Sequence, residues 1–193
     1  MLILASASPR RRELLELIVP EFQVIPSDLV EVLEAGPYPE AVARLALRKA
    51  GAVAARLREG IVLGADTIVV IDGECLGKPA DADEARAALR KLRGRDHLVI
   101  TGVGVVEAPR GRAASTAVTS RVLMASYSDA TIEAYVGSGA PFDKAGGYAI
   151  QDLGGELVAG VIGSYTNVIG LPLGETCRLL TEFGVPVTPR SPA

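Results

Sequence analysis

A chain of 193 residues, 49% apolar and 22% charged, has enough apolar sequence for one full core, and it reads as a single domain, 1–193, with two lobes. Its net charge of −3 at pH 7 excludes the broad basic face that duplex nucleic acid needs, and the absence of Trp disfavours stacking platforms for single strands. No apolar stretch reaches the length of a membrane span, and the first one is too short to be a signal peptide, so the expected location is the cytoplasm.

Met1 to Ala5 predicts a short buried strand, and Pro9 to Ile18 a helix with Leu14, Leu15 and Ile18 facing inward. Between and across them runs Ser6-Ala7-Ser8-Pro9-Arg10-Arg11-Arg12, with Pro9 suited to the first helical position. A strand feeding a helix start gathers backbone N–H groups without partners, which favour an anion. Serine hydroxyls and guanidinium forks suit that anion to be a polyphosphate. The cluster is either a solvated first turn or such an anion site, and arginines at a helix N-terminus oppose the helix dipole unless an anion meets them.

Phe22 to Ile25 predicts a short strand that leads into the loop Pro26-Ser27-Asp28-Leu29-Val30-Glu31. Pro39 to Leu57 predicts a long helix with Val42, Leu45, Ala46, Val53, Ala54 and Leu57 at helical spacing. Lys49 lies on that apolar face, where it either snorkels outward or reaches a pocket that holds negative charge.

Gly60 to Ile71 is the most strand-like run, closed by the hairpin signal Asp72-Gly73. Asp66 interrupts it. A carboxylate there costs several kcal/mol unless a cation, donors or a metal compensates. It is either a buried Asp bonded to loop backbone or a metal ligand or general base. With Glu31 as second carboxylate, the pair matches the usual magnesium arrangement, in which waters and substrate phosphates complete the shell.

Gly77-Lys78-Pro79 puts a lysine on a tight turn, without the glycine spacing and Ser/Thr of a Walker A loop. Gly102-Val103-Gly104 lacks the third glycine of a dinucleotide fingerprint. Asp81 to Arg93 predicts a helix buried through Ala85, Ala88, Leu89 and Leu92. Leu98 to Val106 and Ala117 to Met124 predict two long strands joined across Pro109–Arg112. His97, the only histidine, reads as a structural or surface residue, and Cys75 and Cys177 as small, reduced core residues.

Ser128 to Val136 predicts a helix capped by Ser128. Pro141 to Gln151 is either a surface turn or a wall facing a nucleobase, with the Gln151 amide on the base edge. Leu157 to Ile162 predicts a strand, Leu173 to Phe183 the last helix, and Thr188 to Ala193 a frayed tail. Strands and helices mixed without strict alternation predict an α/β fold around a long mixed sheet.

Taken together, Ser6-Ala7-Ser8-Pro9-Arg10-Arg11, Ser27–Glu31, Arg48-Lys49-Ala50, Gly64-Ala65-Asp66-Thr67, Leu76–Pro79, Thr101-Gly102-Val103 and Asp143–Gln151 resemble the motifs of the Maf nucleoside triphosphate pyrophosphatases, in family order. The resemblance implies two lobes around a cleft, similar to the inosine triphosphate pyrophosphatases. It implies an acid-anhydride hydrolase that cuts a nucleoside triphosphate between its α and β phosphates with a divalent metal cation, Mg²⁺ or alternatively Mn²⁺ or Co²⁺. On matching positions Ser8, Arg11, Lys49 and Lys78 would hold phosphates. Glu31 and Asp66 would carry the metal, with Asp66 as proton acceptor. Arg10, Thr67 and Gln151 match the specificity positions and resemble the branch acting on dTTP and UTP. Position 30 departs from the family's Asp-x-Asp-Glu loop, since it is Val30. The implied partner is the nucleotide, with no nucleic acid or membrane and with a homodimer as one allowed assembly. The rival reading is a nucleotide-responsive binding protein that regulates cell division without turnover.

Overall fold

The computed structural model describes residues 1–150 and 156–188. In chain order the described elements are β1 (Leu2–Leu4), α1 (Pro9–Glu16), β2 (Gln23–Val24), α2 (Tyr38–Ala54), β3 (Gly60–Ile71), β4 (Glu74–Leu76), α3 (Ala82–Leu92), β5 (Asp96–Ala108), β6 (Ala113–Met124) and α4 (Asp129–Gly137). Two 3₁₀ turns, Ala140–Asp143 and Ala145–Gly147, precede β7 (Val158–Ile162), α5 (Tyr165–Ile169) and α6 (Leu173–Glu182).

The strands form one seven-stranded sheet in the order β2-β1-β3-β5-β6-β7, with β4 paired to β3. It is mixed, as the sequence predicts. β1 runs parallel to β2 and to β3, while β3–β4 and β6–β7 are antiparallel. The parallel β1–β2 pair is made by the crossover through α1, whereas β3 and β4 need only a tight turn. Asp72 and Gly73 supply it with φ of 54° and 78°, the left-handed pair that a twisted two-residue hairpin demands. β5 and β6 run closer to their connecting turn than predicted, because pairing continues through the Glu107 N–H to the Arg112 carbonyl at 2.8 Å.

The chain divides into two compact units. The first comprises Met1–Asp66, Thr101–Val118 and the segment from Gly170 onward. Its centre is α2 laid directly against β3 and β5. A methyl group on Gly64 would overlap the Ala46 carbonyl oxygen, and one on Gly102 the Val42 carbonyl. One on Gly104 would stand 2.6 Å from the Leu47 Cα. These glycines therefore serve backbone-to-backbone packing, and their Gly-x-Gly spacing has that origin. Ile3, Ala5, Ala50, Val53 and Val62 fill the same core.

The second unit comprises Thr67–Ile100 and Thr119–Ile169. Leu89 and Leu92 of α3 and Ile132 and Tyr135 of α4 pack with Val99, Val122 and Leu157. Asp81 caps α3 by accepting the N–H groups of Asp83 and Glu84 at 2.9 Å, and Ser128 caps α4 by accepting that of Thr131 at 3.1 Å.

His97 belongs to this second core, with 3% of its surface exposed. Its Nε2 lies 2.5 Å from the Tyr148 hydroxyl, the two rings edge to face, and its Nδ1 has no hydrogen-bond partner among the described residues. Burial holds its pKa down to about 4, from 6.5, against the weaker opposing field of Asp96. The unfolded chain binds a proton in this range that the folded chain refuses, so stability falls as pH drops from 6.5 toward about 4. Denaturant unfolding at about pH 7 and about pH 4.5 should show a loss from this group of roughly 2–3 kcal/mol. The His97→Gln variant should lack that component.

Three further features depart from the sequence expectations. Cys75 is exposed and Cys177 only half-buried, so neither is a core residue; on β4 it is the next residue, Leu76, that packs against the second core, and side chains alternate between the faces of a strand. α5 went unpredicted because its five residues are too few to establish a helical period. Thr188 is not frayed: its N–H donates to the Ile18 carbonyl at 2.9 Å. Residues 189–193 of the predicted tail lie outside the described residues. Among the described residues no helix is long and apolar enough to cross a membrane.

Candidate active site

The helix start predicted at Ser8-Pro9 forms as read. Ser8 is the N-cap of α1, extended at φ −70° and ψ 118°, and Pro9 occupies the first turn. The Ser8 Oγ accepts the Arg11 N–H at 3.5 Å, while the Ser8 N–H donates to the Ser6 Oγ at 3.3 Å. Arg11 folds back over this turn. Its guanidinium donates through Nη1 to the Ser6 Oγ at 3.2 Å and through Nε to the Gly170 carbonyl at 2.9 Å. Burial lowers the Arg11 pKa below its ordinary value; the charges of Asp66 and Glu31 act against that, and Arg10 acts with it. Arg11 thus sits within the field of two carboxylates and one like charge. Arg12 turns to solvent and pairs with Glu16 at 2.9 Å.

Lys49 resolves the choice that its apolar face left open. The close packing of α2 on Gly64 carries it inward, where it is 4% exposed, toward the acid two residues further along β3. Its Nζ donates to the Asp66 Oδ1 and, at 2.7 Å, to the Glu31 Oε1. Asp66 is itself only 7% exposed, while half of the Glu31 side chain reaches solvent. One buried ammonium therefore joins the strand acid to the loop acid. Val30, at 76% exposure, adds no carboxylate.

Ser8, Arg10, Arg11, Glu31, Lys49 and Asp66 all belong to the first unit. Thr67 and Lys78 belong to the second. Thr67 follows Asp66 on β3 and is half-buried; Lys78 is exposed on the turn after β4. That turn is held by the Gly77 carbonyl, which accepts the Gly146 N–H at 2.9 Å. Gly146 and the next glycine adopt φ of 71° and 73°, backbone that a side chain would strain. The neighbouring Lys144 is buried and donates to Ala140 O and Asp143 Oδ1, both at 2.6 Å, so this pair of charges braces its own turn. Gln151 lies outside the described residues.

Two partners of Arg11 escaped the sequence reading. Ser6 was visible only as a second hydroxyl. The Gly170 carbonyl, 159 positions away, gave no local signal at all.

Among the described residues no three or more of His, Cys, Asp and Glu gather to hold a metal. Asp66 and Glu31 are two hard oxygen donors on one ammonium, a set that suits a cation keeping most of its shell for water and phosphate oxygens. It does not suit a structural zinc site, which needs four closed ligands.

A family model described as Maf-like protein matches residues 1–183. A relative from Myxococcus xanthus is 51% identical over 189 residues, covering 97% of this chain and 94% of its own. Another from Moorella thermoacetica is 50% identical over 187 residues and covers 96% of each chain. A third, from Syntrophus aciditrophicus, is 47% identical over 184 residues, 95% of this chain and 90% of its own. All three carry the name dTTP/UTP pyrophosphatase. The solved structure of the Staphylococcus aureus Ham1 protein matches 65% of this chain and 72% of its own at 20% identity, with a TM-score of 0.46, too distant to carry weight. With the family match running from the first strand through the end of α6, the chain belongs to the Maf-like protein family.

Proposed function

We propose that this protein hydrolyses dTTP and UTP to the nucleoside monophosphate and pyrophosphate. The observation that carries the reading is the buried Lys49, which holds Asp66 and Glu31 together beside Arg11. Relatives that match nearly the whole chain and bear the name dTTP/UTP pyrophosphatase support it.

In this reading Ser8, Arg11, Lys49 and Lys78 bind the triphosphate. A hydroxyl and N–H groups at the start of α1 donate to phosphate oxygens, and the three cations neutralise charge that grows in the transition state. Asp66 and Glu31 would hold a divalent cation, Mg²⁺ or alternatively Mn²⁺ or Co²⁺, whose chemistry is to screen phosphate charge and acidify the attacking water. Asp66 accepts the proton as the water oxygen bonds to the α phosphorus. The bond from that phosphorus to the bridging oxygen breaks, and the oxygen leaves on pyrophosphate. Arg10, Thr67 and Gln151 select the base, the amide of Gln151 suiting the donor–acceptor edge of uracil or thymine. The homodimer and a cytoplasmic location belong to the same reading.

A panel of the common triphosphates, assayed for pyrophosphate release with Mg²⁺, tests the proposal. The expected ranking places dTTP and UTP at least about tenfold above ATP and GTP in kcat/KM. A preference for a purine triphosphate contradicts it.

A further inference from the structure

The two acids of the cluster around Lys49 are already matched by cations without any ligand. Two carboxylates, Asp66 and Glu31, share the Lys49 ammonium, and both also act on the Arg11 guanidinium, which Arg10 faces as a like charge. The positive groups thus at least equal the negative ones, with Lys49 and Asp66 both buried. A divalent cation brought alone to the two acids would compete with Lys49 for the same oxygens. It would also leave two positive charges uncompensated where water is scarce. A triphosphate reverses that balance, because its several negative charges offer Lys49 and Arg11 new anionic partners.

We propose, on the reading given above, that Lys49 guards Asp66 and Glu31 in the nucleotide-free protein, so that a divalent cation binds them strongly only in company with the triphosphate. Metal and nucleotide then bind with positive coupling, and the coupling is reciprocal by thermodynamic necessity. Lys49 is in this sense a positioning residue for the metal as well as a phosphate ligand. It holds the acids apart from free cations until substrate draws the ammonium away.

Titration with Mn²⁺, followed by calorimetry and by the electron paramagnetic resonance of the free ion, tests this without turnover. In the absence of nucleotide, Lys49→Met should bind Mn²⁺ about tenfold more tightly than the wild type. Adding α,β-methylene-dTTP should tighten Mn²⁺ binding to the wild type by about tenfold beyond the nucleotide–Mn²⁺ complex formed in solution, and far less in the variant. A Lys49→Met protein that binds Mn²⁺ no more tightly than the wild type overturns the proposal. So does a wild type whose Mn²⁺ affinity is the same with and without the analogue it binds. Where Lys49→Met fails to fold, Lys49→Gln carries the same comparison. If the analogue does not bind at all, the dTTP reading fails, while the comparison in metal alone still decides the role of Lys49.

Discussion

Asp66→Asn should lower pyrophosphate release from dTTP by about 10³-fold, within the range that general acid–base groups contribute. Asn keeps the size of the side chain and an oxygen for the Lys49 ammonium, but it cannot take the proton of the attacking water. Loss of the charge also weakens the hold on Lys49, whose remaining acid, Glu31, is half exposed. Breaking a buried pair outright costs about 3–5 kcal/mol, and with Glu31 and the amide oxygen both retained the loss should be nearer 1–2 kcal/mol. The variant should therefore fold, with a modestly lowered Tm, and bind nucleotide while failing to turn it over. Steady-state kinetics together with thermal unfolding separate the two effects. Activity within about tenfold of the wild type would remove Asp66 from the proton-accepting role.

Gly102→Val should damage the fold more than any change at the site. The first added carbon would overlap the Val42 carbonyl and crowd the Ala43 nitrogen, both backbone atoms of α2 that no rotamer change can move. Overpacking a core costs about 1–3 kcal/mol when side chains can yield, and here they cannot, so a loss of at least about 3 kcal/mol is expected. For a chain of this size a loss of about 3 kcal/mol is a drop of about 6–12 °C in Tm. Gly137→Ala is the control, since among the described residues no atom beyond its own helix and chain neighbours stands within 4 Å of the added methyl. Equal melting temperatures for the Gly102→Val and Gly137→Ala proteins would refute the close packing of α2 on β5. Because that packing also delivers Lys49 to Asp66, a folded remnant of Gly102→Val should lose activity as well.

How far these residues could be read in advance depends on the range over which each is determined. β3 was legible over its whole length, Gly60–Ile71, because a long apolar run bounded by a hairpin signal is fixed by its own residues. The cap at Ser128 and the helix start at Pro9 were legible for the same reason. Asp66 and Lys49 stood out as charges on apolar faces, and each explains the other. Either alone is costly to bury; together they satisfy one another, with Glu31 drawn in.

What could not be read is what only the fold assembles. Nothing near Arg11 in sequence announces the Gly170 carbonyl, and nothing near Thr188 announces Ile18. Cys75 looked like a core residue because composition suggests that small apolar residues are buried; only the fold reveals that on β4 the next residue, Leu76, packs against the second core. Gly102 and Gly104 fall short of a dinucleotide motif, and their packing role emerges only once α2 is laid across them.

The most direct test of the chemistry is the identity of the products formed from dTTP and Mg²⁺ by the purified protein, read by phosphorus NMR. Cleavage at the α phosphorus predicts dTMP and pyrophosphate in equal amounts, with oxygen from labelled water found on dTMP when the label is traced by mass spectrometry. Formation of dTDP and inorganic phosphate, or tight binding with no product, would contradict it.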